Sequence, residues 1–282
     1  MTTTSSVSSV VTPDHLADHD AVRAAVRDQY GQVARSNATS CAPSCCGPNP
    51  TASLDLGYSA DDIAAVPDGA NMGLGCGNPQ AIAALQVGEV VLDLGSGGGF
   101  DSFLAAKQVG PSGKVIGVDM TPDMISKARA NARQLGLQHV EFRLGEIEHL
   151  PVADDSVDVI LSNCVINLSP DKPAVFAEAF RVLKEGGRLA ISDIVSVGNM
   201  PEALAHDVAA LTGCIAGAAP VDDLRTMLRD AGFAQVRVTV KEESRQFIAD
   251  WLPGSGAEQF VVSANIEAVK TAPKACCGPS CC

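Results

Sequence analysis

Ten cysteines in 282 residues are the first chemical signal in this chain. Three stand alone: Cys76 in the loop Gly73-Leu74-Gly75-Cys76-Gly77-Asn78-Pro79, Cys164 directly after Asn163, and Cys214 in Leu211-Thr212-Gly213-Cys214. The others cluster, as Cys41, Cys45 and Cys46 near the start and Cys276, Cys277, Cys281 and Cys282 at the end, and Cys-Cys-Gly-Pro occurs at both 45–48 and 276–279. An even count would allow disulfides throughout. However, the chain is large for a disulfide-stapled scaffold, and Met1–Ser6 lacks the basic and apolar regions of a secretion signal, so a reducing cytosol is expected. Thiols are then kept for chemistry or for a soft ion, which thiolates select. Structural zinc calls for paired knuckles; Cys41-x3-Cys45 and Cys277-x3-Cys281 are compatible with that, but Cys76, Cys164 and Cys214 are scattered singly, as suits a ligand held between loops. One cysteine at a sheet edge is as readily a small buried hydrophobe; the combination is what argues for a site. The histidines at 15, 19, 139, 149 and 206 form no ligand pair with these thiols. His15 and His19 have helical spacing but fall in a segment expected to be frayed or solvated.

A second chemical signal is the run Val90-Val91-Leu92-Asp93-Leu94-Gly95-Ser96-Gly97-Gly98-Gly99, in which a strand ends and a helix opens. Glycines there let the backbone turn tightly and a ligand approach closely. In the dinucleotide-binding version of such a loop a pyrophosphate sits at the helix N-terminus. Here an acid precedes the glycines, giving D-x-G-x-G-x-G, and a carboxylate at Asp93 would repel a pyrophosphate but suit a ligand with cationic ends. Asp119 closes the next strand, placed to accept two ribose hydroxyls. Structural glycines alone do not account for two acids, three glycines and a strand boundary coinciding.

These residues need a frame, and the sequence supplies one. Apolar runs at 89–94, 114–119, 140–144, 157–162 and 187–195 read as buried strands. Helical stretches at 100–108, 122–136, 172–184 and 200–215 alternate with them, which predicts βαβ units and a parallel sheet with helices on both faces. Helices are also expected over Asp20–Ala34, Ala60–Val66 and 221–231. Two further β-rich runs, 235–241 and 259–269, either pair with the same sheet as an antiparallel addition or form a small C-terminal α/β appendage. The division expected is a helical and Cys-rich segment over 1–75, a nucleotide-type domain over 76–235, the β-rich addition over 236–270 and a Cys-rich tail over 271–282. The net charge of −13 would repel phosphate backbones and anionic lipids, which argues against nucleic-acid substrates and a DNA-reading sensor. No apolar run is long enough to span a bilayer.

The glycine loop and the acid after the second strand closely resemble motif I and the acidic loop of class I S-adenosylmethionine-dependent methyltransferases. That resemblance covers roughly residues 80–235. It implies that Asp93, Gly95, Ser96, Gly97 and Gly99 line the methionine end of the cofactor and that Asp119, followed by Met120, meets the ribose. It further implies that Gly145-Glu146-Ile147 contact adenine and that Asn163 falls near the methyl-bearing centre. The fold accepts almost any substrate, but longer stretches narrow the choice. Gln29-Tyr30-Gly31-Gln32-Val33-Ala34, Leu56-Gly57-Tyr58, Asn71-Met72-Gly73-Leu74-Gly75-Cys76-Gly77-Asn78-Pro79, Ser162-Asn163-Cys164-Val165-Ile166-Asn167-Leu168 and Thr212-Gly213-Cys214-Ile215 are similar to bacterial arsenite methyltransferases. The resemblance implies an arsenic site at Cys164 and Cys214, joined by Cys76 and one N-terminal thiol, of which Cys45 or Cys46 is favoured over Cys41. It also implies S-adenosylmethionine as cofactor, arsenite or its glutathione or thiol conjugates as substrate, and a thiol reductant such as thioredoxin or glutathione as partner. Two rivals stay open on sequence alone. One is methylation of a small organic acceptor with structural cysteines, and the other is a non-catalytic arsenic-binding protein.

Overall fold

The computed structural model describes residues 18–35, 52–201, 204, 214–251 and 253–271. Cys41, Cys45, Cys46, the four tail cysteines, His15 and most of the helix expected at 200–215 lie outside the described residues.

The strands are β1 Val90–Leu94, β2 Lys114–Asp119, β3 Val140–Leu144, β4 Val157–Asn163, β5 Leu183–Ser196, the two-residue β6 Ala219–Pro220, β7 Phe233–Lys241 and β8 Val261–Lys270. They form one sheet in the order β3-β2-β1-β4-β5-β8-β7, with β6 beside the end of β5. The pairs from β3 to β5 are parallel, whereas β8 runs antiparallel to both β5 and β7. The C-terminal β-rich addition is therefore built onto the same sheet, the first of the two arrangements the sequence left open. β1 lies between β2 and β4, so the chain leaves it in opposite directions, and an open α/β sheet binds its ligand outside the carboxyl ends at such a point.

Strand periodicity decides which helices cover which face. In β1, Val91 packs with α5 (Phe100–Val109) and α6 (Pro122–Leu135), through Phe103, Ala106, Ile125 and Ala128. Leu92 and Leu94 pack on the other face with α7 (Lys172–Val182) and α8 (Val221–Asp230), through Phe176, Ala179, Leu224 and Leu228. Alternation then sends Asp93 to the α5 side, with Val91. Helix starts carry their own signals: Pro122 opens α6 at a position where the missing N–H is harmless, and the Asp171 side chain caps α7 by accepting from the Ala174 N–H. Ahead of the sheet, α1 (His19–Arg35) and the short helices α2 (Ala52–Asp55), α3 (Ala60–Ala64) and α4 (Gln80–Ala83) bring the segment containing Cys76 over the carboxyl edge. A third apolar cluster joins Val26 of α1 and Ile194 of β5 to Ile248 and Val261 of the C-terminal part, and Cys76, Cys164 and Cys214 lie inside it.

Candidate active site at the carboxyl edge of the sheet

A cavity enclosing about 1090 Å³, its open mouth included, lies at this edge. Its floor is the glycine loop, with Asp93, Gly95, Ser96 and Gly97. Asp119, Met120, Gly145 and Ile147 form one side, Asn163 and Cys164 the far end, and Arg23, Val26 and Tyr30 of α1 a wall. Two residues expected among these are placed elsewhere. Gly99 starts α5 at φ +97°, and a Cβ there would meet the Phe103 ring at 2.7 Å, so it serves the turn and the packing of the helix. Glu146 turns out toward α1, pairing with Arg23 at 3.5 Å and Arg27 at 4.0 Å. Its neighbour Glu148, which sequence reasoning passed over, borders the cavity instead, buried and accepting from Ser169 Oγ at 2.7 Å.

The electrostatics of the floor are one-sided. Asp93 is buried and accepts from Ser102 Oγ at 2.6 Å. Burial, and then the nearby Asp101 carboxyl, push its pKa well above the usual carboxylate range. Asp101 is also raised by burial, against the hydrogen bonds it accepts from Tyr58, Asn163 and Gln80. Burial and then Asp101 raise the Tyr58 phenol. The partners that hold these two carboxyls are all neutral, so the floor is a buried acidic site with an unmet demand for positive charge. Asp119, also raised by burial, accepts from the Gly97 N–H at 3.0 Å and the Thr121 N–H at 2.8 Å, which leaves lone pairs for hydroxyl donors. Ser96 Oγ is buried with no partner among the described residues, at the cavity lining.

Asn163 links this floor to the sulfur site. Its amide nitrogen donates to Tyr58 Oη at 3.0 Å, Asp101 Oδ2 at 3.1 Å and the Gly77 carbonyl at 3.0 Å. Its oxygen accepts from the Cys76 N–H at 3.1 Å. Gly75 has to be glycine for this contact, because a Cβ would sit 2.6 Å from the Asn163 nitrogen. From the C-terminal strands, Ser263 Oγ donates to the Cys76 carbonyl at 2.7 Å. The loop carrying Cys76 is thus fixed from both sides.

The three single thiols, far apart in sequence, come together at the cavity's far end. All are reduced and buried. The Cys76 and Cys164 sulfurs and an Asp193 carboxylate oxygen lie within 4.8 Å of one another. Cys214 lies beside them, outside that set, its Sγ donating to the Cys164 carbonyl at 2.8 Å, and Cys76 Sγ donates to the Ser192 carbonyl at 3.5 Å. Burial raises the Cys76 thiol to about 11 and the Cys164 thiol well up. Cys214 is raised by its bond to Cys164 and then by burial. Both Cys164 and Cys214 have left-handed backbone, at φ 59° and 64°, which costs a non-glycine residue roughly 1–2 kcal/mol each. Strain of that kind concentrates at functional sites. Asn167 holds the arrangement, its amide donating to Asp193, to the Ile194 carbonyl and to the Cys214 carbonyl.

Comparison with known proteins agrees with this geometry. A family described as a methyltransferase domain matches residues 85–232, more than half of the chain. An arsenite methyltransferase from Halobacterium salinarum is 53% identical over 266 residues, 90% of this chain and 68% of that protein. A second, from Aquipseudomonas alcaligenes, is 44% identical over 171 residues, and the chain spans about half of its length (49%). Among solved structures, an arsenic (III) S-adenosylmethionine methyltransferase from Chlamydomonas reinhardtii superposes with a TM-score of 0.59 at 30% identity, covering 80% of this chain and 75% of that one. Sequence and fold together place this chain in the arsenite methyltransferase family, on a class I methyltransferase sheet.

Proposed function

We propose that the protein transfers the methyl group of S-adenosylmethionine to trivalent arsenic held by the sulfurs of Cys76, Cys164 and Cys214. The observation that carries this reading is the meeting of the Cys76 and Cys164 sulfurs, from distant parts of the chain, with Cys214 bonded to the Cys164 backbone beside them and Cys164 lining the cavity above the glycine loop. Trivalent arsenic takes a pyramid of three sulfurs and keeps a lone pair on its open face.

The residues fit the cofactor. Asp93 and Asp101 offer negative charge to its cationic methionine end, Ser96 Oγ a free hydroxyl, Asp119 acceptors for ribose hydroxyls, and Gly145 and Ile147 a wall for the base. When bound, S-adenosylmethionine supplies a methyl group on a sulfonium leaving group. The chain's own task is to hold the arsenic lone pair in line with that methyl, and positioning can be worth roughly 7–11 kcal/mol. No general base is needed, because arsenic carries no proton. Nor do the raised thiol pKa values obstruct loading. Each thiol proton leaves with an arsenite hydroxide as water, so three thiols and arsenite give the trithiolate and three waters with no net proton released. Asn163 and Ser263 keep Cys76 in place for that exchange.

The finer parts of the reading are Cys45 or Cys46 as a further thiol that captures arsenic and passes it inward, and recycling by a thiol reductant such as thioredoxin or glutathione. A cytoplasmic setting suits reduced thiols; no helix among the described residues is long and apolar enough to cross a membrane. The test is incubation with radiolabelled S-adenosylmethionine, arsenite and a thiol reductant. Labelled methylarsenicals are expected from the wild type and not from Cys164→Ser or Cys214→Ser. Their absence from the wild type would overturn the proposal.

A further inference from the structure

Asp193 carries no role in the methyl transfer proposed above, and its acid gives no signal of one in the sequence pattern. It lies toward the carboxyl end of β5, 2% exposed, within the mostly apolar stretch Leu189-Ala190-Ile191-Ser192-Asp193-Ile194-Val195. Among the described residues its oxygens accept from neutral donors: Ile166 N–H at 3.0 Å, Asn167 Nδ2 at 2.9 Å and its neighbour Ile194 N–H at 2.7 Å. A buried carboxylate without an ion pair is costly. This one lies within 4.8 Å of two of the three sulfurs.

Resting on the reading above, we infer that Asp193 stabilises the positive charge that arrives on arsenic during methyl transfer, through a carboxylate fixed in advance beside the sulfur ligands. In that step the arsenic lone pair forms the As–C bond as the C–S bond to the sulfonium breaks, and the broken bond's electron pair stays on the departing sulfur. One unit of positive charge therefore leaves the cofactor site and appears on the arsenic. In a dry pocket, a charge held in place where the new charge develops favours the transition state over the ground state, because nothing has to reorient during the reaction. The neutral trithiolate gains little from the same carboxylate, so binding of arsenite is not what Asp193 serves. Three backbone and amide donors keep the carboxylate from swinging away. The opposing cations nearby are Lys172 at the start of α7, whose ammonium interacts with both Asp193 and Cys214, and Lys241, which faces Cys76.

The rival role for Asp193 is bracing, since the same hydrogen bonds hold the turn at 166–168. Two variants separate the roles. Asp193→Asn removes the charge, and its single-turnover methylation rate is expected to fall by at least about tenfold. Its dissociation constants for arsenite and S-adenosylmethionine, measured by calorimetry, should move less than about threefold. Asp193→Glu keeps the charge while disturbing the same hydrogen bonds, and its single-turnover rate is expected to stay within about threefold of wild type; it keeps the test open should Asp193→Asn not fold. A rate for Asp193→Asn within about twofold of wild type, a loss matched by an equal loss in arsenite affinity, or a rate for Asp193→Glu reduced about tenfold or more with arsenite affinity kept would each overturn the inference. Wild-type protein that makes no methylarsenical would instead overturn the underlying function, and this inference with it.

Discussion

Replacing Asn163 by alanine tests the coupling between the cofactor floor and the sulfur site. The substitution removes the amide group whose two N–H donors serve Tyr58, Asp101 and the Gly77 carbonyl, and strips the Cys76 N–H of its acceptor. Neutral hydrogen bonds contribute about 0.5–1.5 kcal/mol net and those to charged groups about 1.5–3, while a buried donor left unpaired costs about 1–3. These are not additive, and water can enter a polar hole of this size. A total below the simple sum, about 2–4 kcal/mol, is expected in chemical denaturation. The effect on binding should be unequal. The Cys76 loop loses one of its two fixings and keeps the one from Ser263, so arsenite affinity should drop at least about tenfold, or 1.4 kcal/mol. S-adenosylmethionine should be less affected, because Asp93 and Asp119 keep their own partners. The assays are urea denaturation and calorimetric titration of each ligand. A stability loss under about 0.5 kcal/mol with arsenite affinity unchanged would refute the coupling.

Other expectations follow from the same contacts. Cofactor binding should release protons, because a cation beside Asp93 and Asp101 favours their ionised forms and lowers pKa values that burial holds up; affinity should therefore rise with pH, and calorimetry in buffers of different ionisation enthalpy would show no proton release if the acids do not face the cation. Asp101→Asn should weaken cofactor binding about tenfold, a shift of 1.4 kcal/mol, and lower the pH dependence with it; an unchanged titration would count against the acidic floor. Gly75→Ala puts a methyl 2.6 Å from the Asn163 nitrogen, and thermal melts should show a loss of about 1–3 kcal/mol. Ser263→Ala should cost about 1 kcal/mol and weaken arsenite binding while leaving the cofactor's affinity in place; the reverse pattern would show that the C-terminal strands do not support the sulfur site.

Sequence showed the parts of this site that depend on local pattern. The alternation of apolar runs with amphipathic helices gave the parallel sheet, because buried strands and covering helices have distinct periods. The acid-before-glycines loop could be read because one strand end and one helix start supply all of it. Residues that act across the chain were harder to see. Tyr58 and Asn163 are 105 positions apart, and Asp101 looks like any acid in the first turn of a helix until the phenol and the amide are placed around it. That Glu148, not Glu146, borders the cavity could not be read from the sequence, because the stretch after β3 has no period from which to tell inward from outward. Asp193 did leave a mark, an acid within Leu189-Ala190-Ile191-Ser192-Asp193-Ile194-Val195, but its meaning depends on which loops cover that strand. The last two strands could be recognised as strands, whereas their edge in the sheet, and with it the support Ser263 gives to Cys76, is a matter of topology that local pattern does not encode.

The most direct measurement is arsenic X-ray absorption on a variant in which Cys41, Cys45, Cys46, Cys276, Cys277, Cys281 and Cys282 are all serine. Only Cys76, Cys164 and Cys214 then remain. One arsenic per chain bound by three sulfurs and no oxygen is the predicted result. An arsenic that keeps an oxygen ligand, or a variant that binds none while still binding S-adenosylmethionine, would contradict it.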